Sequence, residues 1–335
     1  MNRQLSFLLL LLASATSSVY AAERIVISAP GPRNISYLPI DLISKIGADK
    51  AEGVQLQVIH TGGGAVALNN LTSRNADFAV AGMPAAMSLR ANGGDVVAIA
   101  AVNDAPLFVL MVRADLKSEV KRISDLRGRV IGVNTSTRNS KTTSQQLAEL
   151  VLKSDGVALD SVRIVPAGQS WVEQSSLILS GAADAVMGDE PFASRLQNEG
   201  KVFFLVNLAD PETTKTIKGA HFLHAVVETR SDIIANEPQK VEKMVRILRA
   251  TLQWMHHHSA EEIVDRLGIT EEEERSSLLA ALKRYPHAYS AEGKFSTSQL
   301  RETELFFQTT SADNPKAKAL NIEQMVNDRW ATRIP

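Results

Sequence analysis

The sequence contains no cysteine among its 335 residues. This absence excludes disulfide bonds, thiolate metal ligands, thiol catalysis and lipid attachment through an N-terminal cysteine. It suits an exported protein that avoids oxidative mispairing, although cytosolic proteins without cysteine also exist. Folding must therefore depend on a well-packed apolar core without covalent cross-links.

A strong net charge is missing as well, since 36 basic and 37 acidic residues leave a formal charge of -1. A chain of this balance has no strong attraction for nucleic acid or anionic lipid. The hydrolase pattern Gly-x-Ser-x-Gly and the zinc pattern His-Glu-x-x-His do not occur in it. We therefore predict a protein that is not an enzyme and that uses no metal or cofactor.

Only one long apolar run is present, and it lies at the N-terminus. Arg3 precedes the run from Leu5 to Ala13, and small or polar residues follow as far as Ala22. This order is typical of a secretory signal peptide, and the run is shorter than the roughly 20 residues that span a membrane as a helix. We predict that residues 1–21 are removed by cleavage after about Ala21 and that the protein is periplasmic; a retained membrane anchor is the alternative.

The remaining chain of about 310 residues is long enough for two domains of ordinary size. Its β-branched runs alternate with amphipathic segments, which predicts an α/β fold with mostly parallel strands. The predicted strands lie near residues 24–28, 54–60, 77–81, 96–102, 107–113, 129–133, 161–165, 185–187, 202–206 and 222–228.

The two halves of the chain share one pattern. Residues 58–84 and 164–191 each contain a strand, a glycine, a helix, an Ala-Asp pair, a second strand, a glycine and a proline. The pairs are Ala76-Asp77 and Ala183-Asp184. This internal repeat predicts two lobes of similar construction, and chance recurrence of common α/β signals is the alternative.

From Ser231 onward the pattern is mostly helical. An apolar stripe at helical spacing is formed by Val241, Met244, Val245, Leu248 and Leu252. Because this stripe needs a surface to pack against, we expect the helical tail to return to the first lobe.

Two crossings of the chain between the lobes would make a hinge. We place lobe I at residues 22–113 and 225–335, and lobe II at residues 114–224. The hinge is then expected near residues 113–115 and 222–226.

Several segments resemble one family of periplasmic solute-binding proteins. Residues Ile123 to Val133, which read ISDLRGRVIGV, resemble the start of that family's second lobe, and Leu179 to Ala193 resemble its later half. The family is the SsuA/THI5-like group, also called NMT1-like, whose members bind sulfonates, nitrate or thiamine precursors. The resemblance implies a two-lobed clamshell of the type II periplasmic-binding-protein fold, with a mostly parallel sheet flanked by helices in each lobe.

The resemblance also implies a role. It indicates the substrate-binding subunit of an ABC-type importer, which captures a small polar organic solute and delivers it to a membrane permease. We expect a monomer. An exported sensor with the same fold is an alternative, and an enzyme related to the pyrimidine synthase of this group is another, although that enzyme uses a cysteine-rich metal motif which this chain lacks.

Ligands of parallel α/β sheets bind beyond the carboxyl ends of the strands, where loops and helix N-termini present free backbone N–H groups. Facing loops of two lobes would enclose one cleft. The candidate ligand-binding residues in these loops are Ser36, Tyr37, Gly63, Met83, Thr135, Ser136, Thr137, Arg138, Gln169, Trp171 and Glu190.

Structural roles remain open for several of these candidates. Ser136 and Thr137 can hold an anionic oxygen or cap a helix, and Arg138 can bind an anion or lie in solvent. Trp171 can stack on a ligand ring or pack in the core of its lobe. Gly63 permits close approach to a ligand, or it is a flexible turn between a strand and a helix.

Two acidic residues leave the charge of the ligand open. Asp189 and Glu190 would repel the simple anion that Arg138 and the neighbouring hydroxyl groups would attract. A zwitterion or an amine-bearing heterocycle could bind to the acidic residues and to the residues that attract an anion at the same time.

Two further features are interpreted as parts of the protein surface and not as binding sites. His256, His257 and His258 point about 100° apart on a helix and cannot converge on one metal ion. The charged run from Glu271 to Arg275 is predicted to be a solvated helix face.

Overall fold

The computed structural model describes residues 22–215, 221–312 and 314–334. The predicted signal peptide lies outside these residues. Within them, no helix is both long and apolar enough to cross a membrane.

Strands and helices alternate along the chain, as the sequence predicts. The strands are β1 (Glu23–Pro30), β2 (Val54–Thr61), β3 (Phe78–Gly82), β4 (Val97–Asn103), β5 (Phe108–Arg113), β6 (Val130–Val133), β7 (Arg163–Pro166), β8 (Ala185–Asp189), β9 (Val202–Asn207), β10 (Ala225–Thr229), β11 (Phe295–Ser296) and β12 (Arg333–Ile334). The helices are α1 (Leu38–Ile46), α2 (Ala48–Ala51), α3 (Gly64–Thr72), α4 (Met83–Ala91), α5 (Thr143–Ser154), α6 (Trp171–Leu179), α7 (Phe192–Asn198), α8 (Pro211–Thr214), α9 (Ser231–Asn236), α10 (Pro238–His256), α11 (Ala260–Leu267), α12 (Glu272–Arg284), α13 (Thr297–Thr310) and α14 (Pro315–Lys318).

Two five-stranded sheets have the same construction. Their strand orders are β2-β1-β3-β10-β4 and β7-β6-β8-β5-β9. In each sheet the strand in fourth place runs antiparallel to its neighbours and the other four share one direction. The prediction of two α/β lobes with mostly parallel sheets is therefore confirmed.

The repeated aspartates occupy equivalent places in the two sheets. The Asp77 carboxylate accepts a hydrogen bond of 2.8 Å from the Val26 amide, and the Asp184 carboxylate accepts one of 2.9 Å from the Val130 amide. In both sheets the carboxylate thus satisfies an amide of the strand in second place, β1 or β6. This shared hydrogen bond explains why the Ala-Asp pair occurs in both halves of the chain.

The first crossing of the chain differs from the prediction. We expected residues 107–113 in lobe I and a hinge at 113–115, but β5 pairs with β8 and β9 in the second sheet. The chain therefore passes between the sheets in residues 104–107. The error arose because β5 follows β4 closely, and a short connection favours pairing in one sheet.

The second crossing of the chain lies at Phe222 and Leu223. Phe222 packs in the apolar core of the second sheet, whereas Leu223 and Ala225 pack in the core of the first. The change of core thus occurs directly before β10.

The helical tail packs on the first sheet and also reaches the second. The apolar stripe of α10 is buried in the first core, as predicted. On α13, Phe307 enters the first core, while its neighbour Phe306 enters the second and stacks on Phe222 with ring centroids 4.3 Å apart. Helix α13 therefore connects the cores of both lobes.

Candidate functional site

The carboxyl ends of the parallel strands in the two sheets face each other. The Thr135 amide, after β6, donates to the Gly62 carbonyl, after β2, at 3.0 Å. The Ile35 amide donates to the Glu190 carbonyl at 3.3 Å, and Ser140 Oγ donates to the Ala85 carbonyl at 2.8 Å. These contacts between the loops hold the lobes in a closed arrangement.

Asp189 occupies the centre of the second-lobe wall. It ends β8 and is fully buried. Gln169 Nε2 donates to its Oδ1 at 3.0 Å, and Asn134 Nδ2 and Gln174 Nε2 donate to its Oδ2 at 3.1 and 2.9 Å. Burial raises the pKa of Asp189 to about 6, and the surrounding amides, with Asn34 first among them, oppose this rise.

His224 lies opposite, on the first-lobe wall. It directly precedes β10 and is fully buried, and the Tyr37 and Phe108 rings lie at centroid distances of 5.8 and 5.1 Å. Burial among these rings lowers the pKa of His224 to about 3. At neutral pH its imidazole is therefore uncharged and offers one hydrogen-bond donor and one acceptor.

Tyr37 links the two walls. Burial raises the pKa of Tyr37 well above its ordinary value, the Asp189 and Glu228 carboxylates act in the same direction, and the Gln169 amide opposes them. The phenol of the first lobe therefore lies close to the acidic wall of the second.

Thr143 approaches the same region from α5. A β-carbon placed on Gly82 would lie 2.1 Å from Thr143 Oγ1 and 3.3 Å from His224 Cε1. The Thr143 hydroxyl group and the His224 ring are thus neighbours across the lobe boundary, and Gly82 leaves them the necessary space.

Many polar atoms in this region have no hydrogen-bond partner in the part of the chain that the structure describes. They are Asn34 Nδ2, Ser36 Oγ, Asn103 Nδ2, Asn134 Oδ1, Thr143 Oγ1, Gln169 Oε1 and both ring nitrogens of His224. Each such buried atom costs roughly 1–3 kcal/mol, so a cluster of them is typical of a site that binds a polar ligand. We call the set Asn34, Ser36, Tyr37, Asn134, Thr143, Gln169, Asp189 and His224 the polar pocket.

Other buried atoms of this kind lie elsewhere. Asp104 Oδ1 is in the first crossing, and both carboxylate oxygens of Glu228 lie in the middle of the first sheet, opposite Ala79. These two residues are not part of the polar pocket.

Three of the predicted ligand-binding residues, Ser36, Tyr37 and Gln169, lie in the polar pocket. Met83 adjoins it, because the Met83 amide donates to the His224 carbonyl at 2.7 Å. Gly63 lies against Thr135 where the lobes touch.

Three other predicted residues lie in a separate polar groove. Ser136, Thr137 and Arg138 line it together with Gln145. The Ser136 hydroxyl group donates to Gln145 Oε1 at 2.6 Å, the Thr137 hydroxyl group accepts from the Ser140 amide at 3.1 Å, and Arg138 is exposed. Ligand contact for these three stays a prediction.

Trp171 and Glu190 lie at the rim between the lobes. The Arg195 guanidinium is 4.0 Å from the centre of the Trp171 ring system. Glu190 accepts hydrogen bonds from Ser194, and Tyr285 Oη donates to it at 3.4 Å. Ligand contact for these two residues likewise stays a prediction.

The interpretation of residues 271–275 as a solvated face was incomplete. Glu271 forms an ion pair of 3.1 Å with Arg195 of the second lobe, and Glu274 forms one of 2.6 Å with Arg33. The start of α12 therefore takes part in the contact between the lobes.

Several pocket residues were absent from the predicted set. Asn134 directly follows β6 and Asp189 is the last residue of β8, and these places at strand carboxyl ends are a signal that could have found them. Asn34 and Thr143 stand among many polar residues, and His224 stands in an apolar segment. Only the packing of the two lobes distinguishes these three residues.

Two sheets with their carboxyl ends around one buried polar pocket define the fold of the periplasmic binding proteins. The family model described as NMT1/THI5 like matches residues 50–262, and this chain belongs to that family. Among curated protein sequences no match is found.

Solved structures share the fold at low sequence identity. A protein of Bordetella bronchiseptica RB50 has a TM-score of 0.83 and 20% identity, over 92% of this chain and 95% of that one. The alkanesulfonate-binding protein of Xanthomonas axonopodis pv. citri, bound to MOPS, has a TM-score of 0.71 and 14% identity, over 92% of this chain and all of that one. A desulfurization enzyme has a TM-score of 0.60 and 16% identity, over 92% and 97%.

The raised pKa of Asp189 gives a prediction for stability. The folded-state pKa of about 6 exceeds the ordinary 3.8, so the folded protein holds a proton that the unfolded chain has lost between these values. Stability therefore falls as pH rises from about 4 to about 6, by at most about 3 kcal/mol from this group. In urea titrations across this range, wild type should lose stability relative to Asp189→Asn; a constant difference between the two would contradict the assignment.

Proposed function

We propose that this chain is the substrate-binding subunit of an ABC-type importer. It captures a small polar organic solute between its lobes, in the periplasm, and delivers it to a membrane permease without converting it. The observation that carries the proposal is the polar pocket, in which both lobes bury hydrogen-bonding atoms that a solute can satisfy. Family membership supports the same role.

The lobes in this proposal follow the sheets. Lobe I contains β1 to β4, β10 and the tail, and lobe II contains β5 to β9. The hinge then consists of residues 104–107 and of Phe222 and Leu223, with α13 beside it.

A solute drives closure to the extent that it binds the closed arrangement more tightly than the open one. The ion pair between the lobes at the rim, Arg195 with Glu271 at 3.1 Å, is partly exposed. Exposed ion pairs contribute about 0–1 kcal/mol, so they add little to closure. Hydrogen bonds between the solute and the pocket atoms then supply most of the free energy that favours the closed arrangement.

Calorimetry with a panel of small solutes tests the proposal. A solute that binds wild type should bind Ser36→Ala and Gln169→Leu about tenfold more weakly, since each variant removes a buried hydrogen-bonding group. The matched control is Gln197→Leu, an exposed glutamine of lobe II outside the polar pocket and the polar groove, and it should bind as wild type does. Unchanged affinity in both pocket variants would refute the assignment of the site.

A further inference from the structure

The Asp189 carboxylate fixes the orientation of the amides around it. An ionised carboxylate only accepts hydrogen bonds, so the amides that touch it must present their nitrogen atoms. Asn134 Nδ2 and Gln169 Nε2 both donate to Asp189, at 3.1 and 3.0 Å. The oxygens of these two side chains, Asn134 Oδ1 and Gln169 Oε1, are then the atoms left to meet a solute, and both are buried without a partner among the described residues.

The second-lobe wall is therefore rich in acceptors. It presents two amide oxygens beside the Asp189 carboxylate. None of the buried side-chain atoms without a partner belongs to lysine or arginine in the described chain. Sulfonate and nitrate offer oxygen acceptors and a negative charge, which this wall would repel.

We infer that the polar pocket selects a solute carrying an N–H donor group, such as an amine, an amidine or an amino-heterocycle, seated against Asp189, Asn134 and Gln169. This inference rests on the proposed function and specifies the class of its solute. It separates this chain from the structural neighbour that binds an alkanesulfonate.

The first-lobe wall complements the second. The Ser36 hydroxyl group can donate, and one nitrogen of the neutral His224 ring carries a proton. A solute with a donor group toward the second lobe and an acceptor toward the first would satisfy both walls. Amino-heterocycles carry both kinds of group on one rigid ring.

Titration calorimetry at pH 7.5 on the mature chain tests the inference with named probes. The donor set is cytosine, benzamidine and butylamine, and the acceptor-only set is ethanesulfonate and nitrate. We expect binding within the donor set alone. In Asp189→Asn an amide replaces the acceptor, so the neighbouring amides can turn, and donor affinity should fall about 10- to 100-fold.

Two control variants show whether a loss of affinity comes from the polar pocket. Asp49→Asn changes another buried carboxylate, on α2 of lobe I, outside both the polar pocket and the hinge, and should leave donor affinity unchanged. Gln169→Leu removes one acceptor and keeps Asp189, so a weaker affinity in this variant supports the site even if Asp189→Asn fails to fold. Near-ultraviolet circular dichroism reports the folding of each variant.

The outcomes separate the inference from the proposed function. Binding of ethanesulfonate or nitrate that Gln169→Leu weakens would overturn the inference and leave the function standing. Donor binding that neither Asp189→Asn nor Gln169→Leu weakens would overturn the assigned seat of the donor group. Failure of every probe to bind would overturn the inference, while binding of some other solute in the panel above would still support the proposed function.

Discussion

Replacing Gly63 with alanine is expected to weaken solute binding about tenfold or more without destabilising lobe I. A β-carbon at Gly63 would lie 2.7 Å from the Thr135 carbonyl oxygen and 3.0 Å from the Thr135 amide nitrogen, both backbone atoms of the other lobe. The lobes would have to separate locally, at a cost of about 1–3 kcal/mol. Each 1.4 kcal/mol corresponds to a tenfold change in affinity.

The neighbouring glycine supplies the matched control. A β-carbon at Gly62 would lie close only to side-chain atoms that can move, Thr135 Oγ1 at 3.1 Å and Glu173 Oε1 at 3.3 Å, and would be in ordinary contact with Gly168 Cα at 3.6 Å. Gly63 has φ 166°, an extended conformation that alanine adopts freely, so strain within lobe I is not an alternative cause. Calorimetry of both variants should show the large loss only at Gly63; equal losses would contradict closure at this contact.

Replacing Phe306 with alanine is expected to lower the free energy of unfolding by about 3–5 kcal/mol. Phe306 is fully buried and stacks on Phe222, which lies in the chain as it returns from lobe II. Because Phe306 belongs to the tail yet packs in the second core, its loss should uncouple lobe II from the tail. Hydrogen exchange should accelerate in β6 and β8 more than in β1 and β3.

Phe307, the residue next to Phe306, tests whether α13 stabilises the two lobes through different side chains. Phe307 is of the same type, is equally buried on α13, and packs in the first core. Phe307→Ala should cost a similar free energy of unfolding but accelerate exchange in β1 and β3. The same exchange pattern in the two variants would show that α13 does not divide its contacts between the lobes.

Most of the fold followed from local pattern. Alternating β-branched runs predicted β1 to β10 to within a few residues, and the repeated Ala-Asp pairs predicted two equivalent lobes because each aspartate supports the strand in second place of its sheet. The stripe of α10 predicted its burial. The sheet to which β5 belongs could not be predicted, since its apolar sequence suits either sheet and the choice depends on long-range pairing with β8 and β9.

The candidate site was predicted in its location and less well in its members. The rule that ligands bind beyond strand carboxyl ends selected loops that include Ser36, Tyr37 and Gln169, and these three residues lie in the polar pocket. Ser136 and Arg138 lie in the outer groove, because the loop after β6 turns Asn134 inward and its later residues outward. His224 depends on contacts between three distant segments, which no local pattern contains.

The central claim is that the two lobes close around a solute, and a distance between the lobes tests it most directly. Because the chain has no native cysteine, Lys50→Cys in lobe I and Asn198→Cys in lobe II, both exposed, would carry the only two labels. With the tightest-binding compound of the panel, electron–electron double resonance should show one short distance replacing a broader, longer distribution. An identical distribution with and without that compound would contradict the account.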